Sequence, residues 1–141
     1  MEPYSRKIYY YETDRMSIVH NSNYLRIFEE ARLDHLEKSG VDYHEMEANG
    51  ILIPQTEAYV KYVKPLQYGD EIDVFVDLVQ FNGIIMKYEY KMFLKGQTKA
   101  AAEGYTCHCF LDDGKRLPVN IRRRMPYVYA ALEETKCVAD G

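Results

Sequence analysis

A few side chains in this sequence could do chemistry, and they lie in separate stretches of it. Asp14 follows a tyrosine-rich run and sits in a polar, irregular segment, Thr13 to Ser22, that leads into a long helical pattern. A carboxylate there could attack an electrophilic carbonyl carbon directly, or act as base on a water. The start of a helix adds unpaired N–H groups and the positive end of a dipole, which can stabilise a developing oxyanion. His20 lies in the same segment and could line such a site, or simply bond the loop backbone. Glu29 is the second carboxylate to weigh, because it borders the apolar face of the helix; a mid-helix Glu is usually solvated or salt-bridged. Arg122, Arg123 and Arg124 are the densest basic run. Guanidinium forks bind phosphate well, although such a run before a helix is also an ordinary solvated face. Cys107-His108-Cys109 invites a metal reading, but strand alternation puts the cysteines on one face and His108 on the other. No second ligand pair is apparent, so a structural role is expected and no metal.

The elements that must position these residues follow from periodicity. Lys7 to Glu12 reads as a short strand. From about Asn23 to Ser39, Tyr24, Phe28, Ala31 and His35 recur at i, i+4, i+7 and i+11 and share one helix face. Leu25, Arg32 and Leu36 flank that face, while Arg26, Glu30, Glu37 and Lys38 lie on the far side. Tyr24 is expected in the core with an edge open to a pocket, and His35 in the core or a pocket wall. A short helix fits Tyr43 to Ala48. From Ile51 the period becomes two. Strands are expected around Thr56–Val63, Ile72–Leu78, Ile84–Leu94 and Thr98–Leu111, with Asn82-Gly83 as a hairpin turn. A C-terminal helix starts near Pro126, since proline suits a first turn. The order is strand, helix, a four-strand antiparallel meander, then a helix. Each strand has one apolar face, and only the long helix can cover it, so an α+β fold with a curved sheet wrapped around that helix is the economical solution.

Composition narrows the function classes. The chain has 141 residues, of which 47% are hydrophobic and 28% charged, as in an ordinary globular domain. No repeat or linker is visible, so one domain, 1–141, is expected. A net charge of −4 argues against a broad nucleic-acid-binding face. No stretch approaches the roughly 20 apolar residues of a membrane span. Three cysteines without framework spacing, and a start lacking an apolar signal region, point to a reducing cytoplasm. Fourteen tyrosines suit pockets, strands and subunit interfaces. Short sheets with edges to hide suggest a homo-oligomer, dimer or tetramer.

Tyr11-Glu12-Thr13-Asp14, then Ile18-Val19-His20-Asn21-Ser22-Asn23-Tyr24, resembles the signature of the 4-hydroxybenzoyl-CoA thioesterase family, YbgC/FadM type. Phe28-Glu29-Glu30-Ala31-Arg32, the Tyr62-x-x-Pro65-x-x-x-Gly69-Asp70 block and Asn82-Gly83 extend the resemblance from about Tyr9 to Leu132. The resemblance implies a hotdog fold and hydrolysis of an acyl-CoA or acyl carrier protein thioester. It implies Asp14 as nucleophile or general base. It places the family's carbonyl donor, a backbone N–H seven residues after the aspartate, at Asn21. His20 and Tyr24 would line the substrate site, and Arg122 to Arg124 would hold the phosphates of coenzyme A, which is part of the substrate rather than a separate cofactor. One departure stands out: Ser17 occupies the place where the family usually has glycine. A non-catalytic acyl-CoA-binding module on the same fold is the competing expectation.

Overall fold

The computed structural model describes residues 1–137; the last four residues of the expected 1–141 domain lie outside the described residues. In chain order the elements are β1 (Tyr4–Lys7), a 3-10 turn (Tyr10–Glu12), α1 (Ser22–Lys38), α2 (Tyr43–Ala48), β2 (Ile51–Leu52) and β3 (Gln55–Tyr62). They continue with β4 (Glu71–Phe81), β5 (Ile85–Leu94), β6 (Ala102–Cys109), β7 (Leu111–Asp112), α3 (Ile121–Arg124) and α4 (Pro126–Thr135).

The first strand is β1, not Lys7 to Glu12. Glu12 turns the chain instead: its carboxylate accepts from the Tyr9 N–H at 2.8 Å while its own N–H donates to the Tyr9 carbonyl at 3.0 Å. Such local bonds compete with a strand ladder. The strands also do not form a meander in sequence order. The five-stranded antiparallel sheet runs β1-β4-β5-β6-β3, so β4, β5 and β6 are a meander while β3 sits at the far edge, paired with β6. The connection after β3 contains Pro65 and Gly69 and is too long for a tight hairpin, so β4 is free to land beside β1. The expected fifth strand, Thr98 to Leu111, shortens to β6; beyond Phe110 the chain leaves the sheet and β7 pairs with β2.

The alternation read from the sequence does set the core. Met86, Tyr88, Tyr90 and Met92 of β5 are buried, as are Ile72, Val74 and Leu78 of β4. Against them α1 lays Tyr24, Ile27, Phe28, Ala31, His35 and Leu36. Phe28 stacks on Tyr90 with ring centroids 4.4 Å apart. Gly104 permits the close approach here, since a Cβ on it would stand 3.1 Å from the Phe28 ring and collide with the Tyr59 carbonyl. At the C-terminus α4 begins on Pro126, as expected, and buries Val128 and Leu132. Among the described residues no helix is long and apolar enough to cross a membrane. A curved antiparallel sheet wrapped around one long helix is the hotdog architecture that the resemblance implied.

Candidate active site

Asp14 lies in a tight loop whose shape comes from backbone bonds. Thr13 and Val19 form an isolated antiparallel bridge. Asp14 N–H donates to the Ile18 carbonyl and Ser17 N–H to the Asp14 carbonyl, both at 2.9 Å. One carboxylate oxygen of Asp14, Oδ1, accepts from the Met16 N–H at 2.8 Å; Oδ2 receives no protein donor among the described residues. Short polar side chains favour this kind of turn because they can bond the backbone two residues on. Ser17 adopts φ 65°, in the left-handed region. The loop therefore keeps the conformation that glycine would take most readily, with a serine bearing the strain.

The same loop is tied to the start of α1. The Glu12 carbonyl accepts from His20 N–H at 2.9 Å and from Asn23 Nδ2 at 2.8 Å. His20 turns its ring back on the first turn: Nδ1 accepts from Ser22 N–H at 3.2 Å and bonds Ser22 Oγ at 2.8 Å. Asn21 is helical, with φ −53° and ψ −32°. Its N–H has no acceptor among the described residues, so it is one of the free donors that every helix start presents. Tyr24 is buried and meets Tyr62 edge to face at 4.9 Å, with Tyr62 half exposed. Burial raises the Tyr24 hydroxyl above its ordinary range, with Tyr62 adding to the effect. The Tyr62 hydroxyl reaches toward the Asn21 carbonyl at 3.4 Å.

Sequence reasoning missed the polar frame beneath this loop. Arg6 of β1 bonds both Glu12 and Glu30, and the Tyr4 hydroxyl donates to Glu30 at 2.7 Å. Glu30, expected on the far side of the helix, thus turns to the first strand. No sequence pattern signalled it: Glu12 does reach back to the Tyr9 N–H, as the Glu of a capping box would, but Tyr9 is not a capping residue type and makes no side-chain cap bond. Glu29 stands apart from the loop, with 61% of its side chain exposed and Arg32 Nη2 at 3.7 Å.

The arginine run lies elsewhere. Val19 and Ile8 are bonded to Leu66 and Asp70, just before β4 begins, whereas Ile121 N–H bonds Gly83, just after β4 ends. At about 3.3 Å per residue the strand places these groups on the order of 30 Å apart within one chain. Arg124 is occupied, donating to Asp112 at 2.7 Å and to the Asn49 carbonyl at 3.0 Å. Arg122 lies over the Tyr129 ring at 5.4 Å. As alternation predicted, His108 points inward and both cysteines stay partly exposed. His108 Nε2 lies 2.8 Å from Thr106 Oγ1, which in turn is 2.6 Å from the Tyr90 hydroxyl. Burial, then the nearby Arg32 charge, pushes the His108 pKa down to about 3, against the opposing Pro54 carbonyl.

Known proteins resemble the chain over most of its length. Residues 10–132 match the thioesterase-like superfamily. A 1,4-dihydroxy-2-naphthoyl-CoA hydrolase of Thermosynechococcus vestitus is 29% identical over 121 residues, covering 84% of this chain and 83% of that one. Among solved structures, a DHNA-CoA thioesterase from Staphylococcus aureus superposes with a TM-score of 0.90 at 28% identity, over 94% of this chain and 89% of its own. A hypothetical protein from Aquifex aeolicus is 34% identical with a TM-score of 0.80, over 89% and 97%. The loop-and-helix arrangement around Asp14 sits wholly inside the matched span, and the chain belongs to the thioesterase-like superfamily, whose activity class is thioester hydrolysis.

Proposed function

We propose that this protein hydrolyses acyl-CoA thioesters, with the Asp14 carboxylate and the Asn21 N–H as the reacting pair. The observation that carries this reading is the clamp on one loop: the bridge at Thr13 and Val19 and the two bonds to the Glu12 carbonyl hold Asp14 beside a helix start whose Asn21 N–H has no acceptor among the described residues. A thioester carbonyl oxygen placed on that N–H would also meet the positive end of the α1 dipole, which stabilises an oxyanion. Asp14 Oδ2 has no donor among the described residues and so is the oxygen available to react. In the nucleophilic route it bonds to the carbonyl carbon and coenzyme A leaves as thiolate. Water then cleaves the resulting anhydride, giving the free acid and restoring Asp14. In the general-base route Asp14 takes a proton from the attacking water, and the proton ends on the departing sulfur. Neither route requires a metal, because thiolate is a good leaving group.

His20 would line the thioester end of the substrate; Tyr24, expected to show an open edge there, is buried behind Tyr62 and would back that wall instead. Arg122 and Arg123 would bind coenzyme A phosphates from a neighbouring subunit, given their distance from Asp14 in one chain. The open edge of β3, exposed along nearly its whole length and paired only on its β6 side, is where two copies would join in a homo-oligomer. Similarity to 1,4-dihydroxy-2-naphthoyl-CoA hydrolases makes an aromatic acyl group a natural first substrate to try. The test is thiol release from a panel of aromatic and aliphatic acyl-CoA thioesters, with acyl carrier protein thioesters beside them. Release of free coenzyme A from at least one is expected; binding without release across the panel would favour a non-catalytic acyl-CoA-binding module.

A further inference from the structure

Leu25, Glu29, Arg32 and Leu36 recur at i, i+4, i+7 and i+11 and share one side of α1. That side does not close on the rest of the protein. Two adjoining clefts of about 80 and 250 Å³ lie along it, sharing Glu29, Arg32 and Ile53. Gln55 and Leu25 border the end nearest the helix N-terminus, Met86 and Tyr43 the other.

Arg32 forms the floor where the clefts meet, and its situation is unusual. The residue is only 9% exposed, and a buried guanidinium is costly unless an anion and full hydrogen bonding accompany it. Its nearest carboxylate, Glu29, is 3.7 Å away and mostly in solvent. Among the described residues Nη1 is buried with no hydrogen-bond partner, and the buried Tyr88 hydroxyl has none either. Close to the guanidinium are two neutral groups, the Tyr90 hydroxyl, which is within reach as a weak acceptor but already engaged with Thr106, and His108, bonded to the same Thr106. The fold thus holds a positive fork at the bottom of a groove, and among the described residues no carboxylate sits closer to it than Glu29 at 3.7 Å.

We propose that this groove receives the acyl portion of the thioester and that Arg32 reads an oxygen acceptor, a carboxylate or a hydroxyl, carried on that acyl group away from the thioester. The inference rests on the thioesterase reading and names the substrate class for it. The groove starts at Leu25, one turn beyond Asn21 on the same side of the helix. The Arg32 side chain leans back one turn to Glu29, so its guanidinium lies about 12 Å along the axis from Asn21. An extended chain of hexanoyl to octanoyl length, or an aromatic acyl group with a distal hydroxyl, spans that reach. An incoming oxygen would take the place of Glu29, whose exposed side chain is free to swing away.

Matched thioesters test this: hexanoyl- against adipoyl-CoA, octanoyl- against suberoyl-CoA, and benzoyl- against para-hydroxybenzoyl-CoA. Non-hydrolysable thioether analogues of the same pairs are measured by calorimetry. In at least one pair the oxygenated member should lead by about tenfold or more in kcat/KM and in binding, as sites built for a polar group discriminate. Which pair responds separates carboxylate from hydroxyl. Arg32→Met, a replacement of similar length that buried-charge sites often tolerate, should bring that ratio to about one. Hydrolysis with no preference in any pair would overturn the proposal, and so would a folded Arg32→Met enzyme that keeps the preference. If Arg32→Met does not fold, the wild-type pairs and Arg32→Lys, which keeps the charge but loses the fork, decide the matter. Preferential analogue binding without turnover of any thioester would leave the groove standing and remove the thioesterase reading instead.

Discussion

The side-chain amide of Asn23 donates to the Glu12 carbonyl at 2.8 Å, joining the first turn of α1 to the residue two before Asp14. Asn23 needs no contact with substrate to matter, because it sets where Asp14 stands relative to Asn21. Asn23→Leu keeps the shape and removes the donor. Loss of one such bond should cost about 1 kcal/mol of stability. The effect on kcat should be larger, roughly 10- to 100-fold, since reactive geometry tolerates little displacement. Unfolding and kinetics on the same preparation would check this; equal and small losses in both would contradict it.

Ser17 holds φ 65°, next to the Met16 N–H that bonds Asp14. Ser17→Gly should retain activity and fold about as well, because relief of the left-handed strain offsets the extra freedom that glycine gives the unfolded chain. Ser17→Val should lose about 1–2 kcal/mol, the cost of a bulky residue in that region. Urea unfolding of the two variants measures both, and a valine variant as stable as wild type would contradict the account.

Two buried histidines make stability depend on pH. Burial lowers the pKa of His35, with Asp77 and Asp34 opposing, and takes that of His108 down to about 3. An unfolded histidine titrates near about 6.5, so the unfolded chain binds more protons below that pH. The contribution of each neutral histidine is therefore whole above pH about 6.5 and is lost as pH falls toward the folded value. For His108 the loss should approach about 1.4 kcal/mol per pH unit. His108→Gln should lower the slope of unfolding free energy between about pH 6 and 4 by that amount. An unchanged slope would show that His108 is already protonated in the folded protein.

The three arginines should separate by role. Arg124 is tied to Asp112 and Asn49, so Arg124→Ala should cost about 0.5–1 kcal/mol of stability, the scale of an exposed ion pair with an added bond. Replacing Arg122 and Arg123 together should instead raise KM for acyl-CoA far more than it lowers kcat. An unchanged KM would remove the phosphate role.

The faces of the strands were legible because alternation is local: Met86 to Met92 needed only their own spacing. Which strand pairs with which was not, because β3 and β4 are consecutive and yet lie apart in the sheet, and nothing in either segment records its partner. Asp14 and Asn21 stood out through a resemblance that their own types would not have carried. Arg6, Glu12 and Glu30 were invisible as a group, since they come from three elements that meet only in the fold. Arg32 could be placed beside the apolar face but not recognised as buried without a tight anion, because burial on a flank depends on how closely β2 and β3 approach.

In the proposed mechanism Asp14 carries the reaction, and Asp14→Asn removes that carboxylate alone. Asn is nearly isosteric and can still accept from the Met16 N–H, so the loop should survive. It can act neither as nucleophile nor as base. In Asp14→Asn kcat should fall by at least about 100-fold while KM changes little. Glu29→Gln, made alongside, should retain far more activity than Asp14→Asn. A folded Asp14→Asn enzyme that keeps more than about a third of wild-type kcat, a change of under about 1 kcal/mol in the barrier, would contradict the assignment and make Glu29 the leading carboxylate.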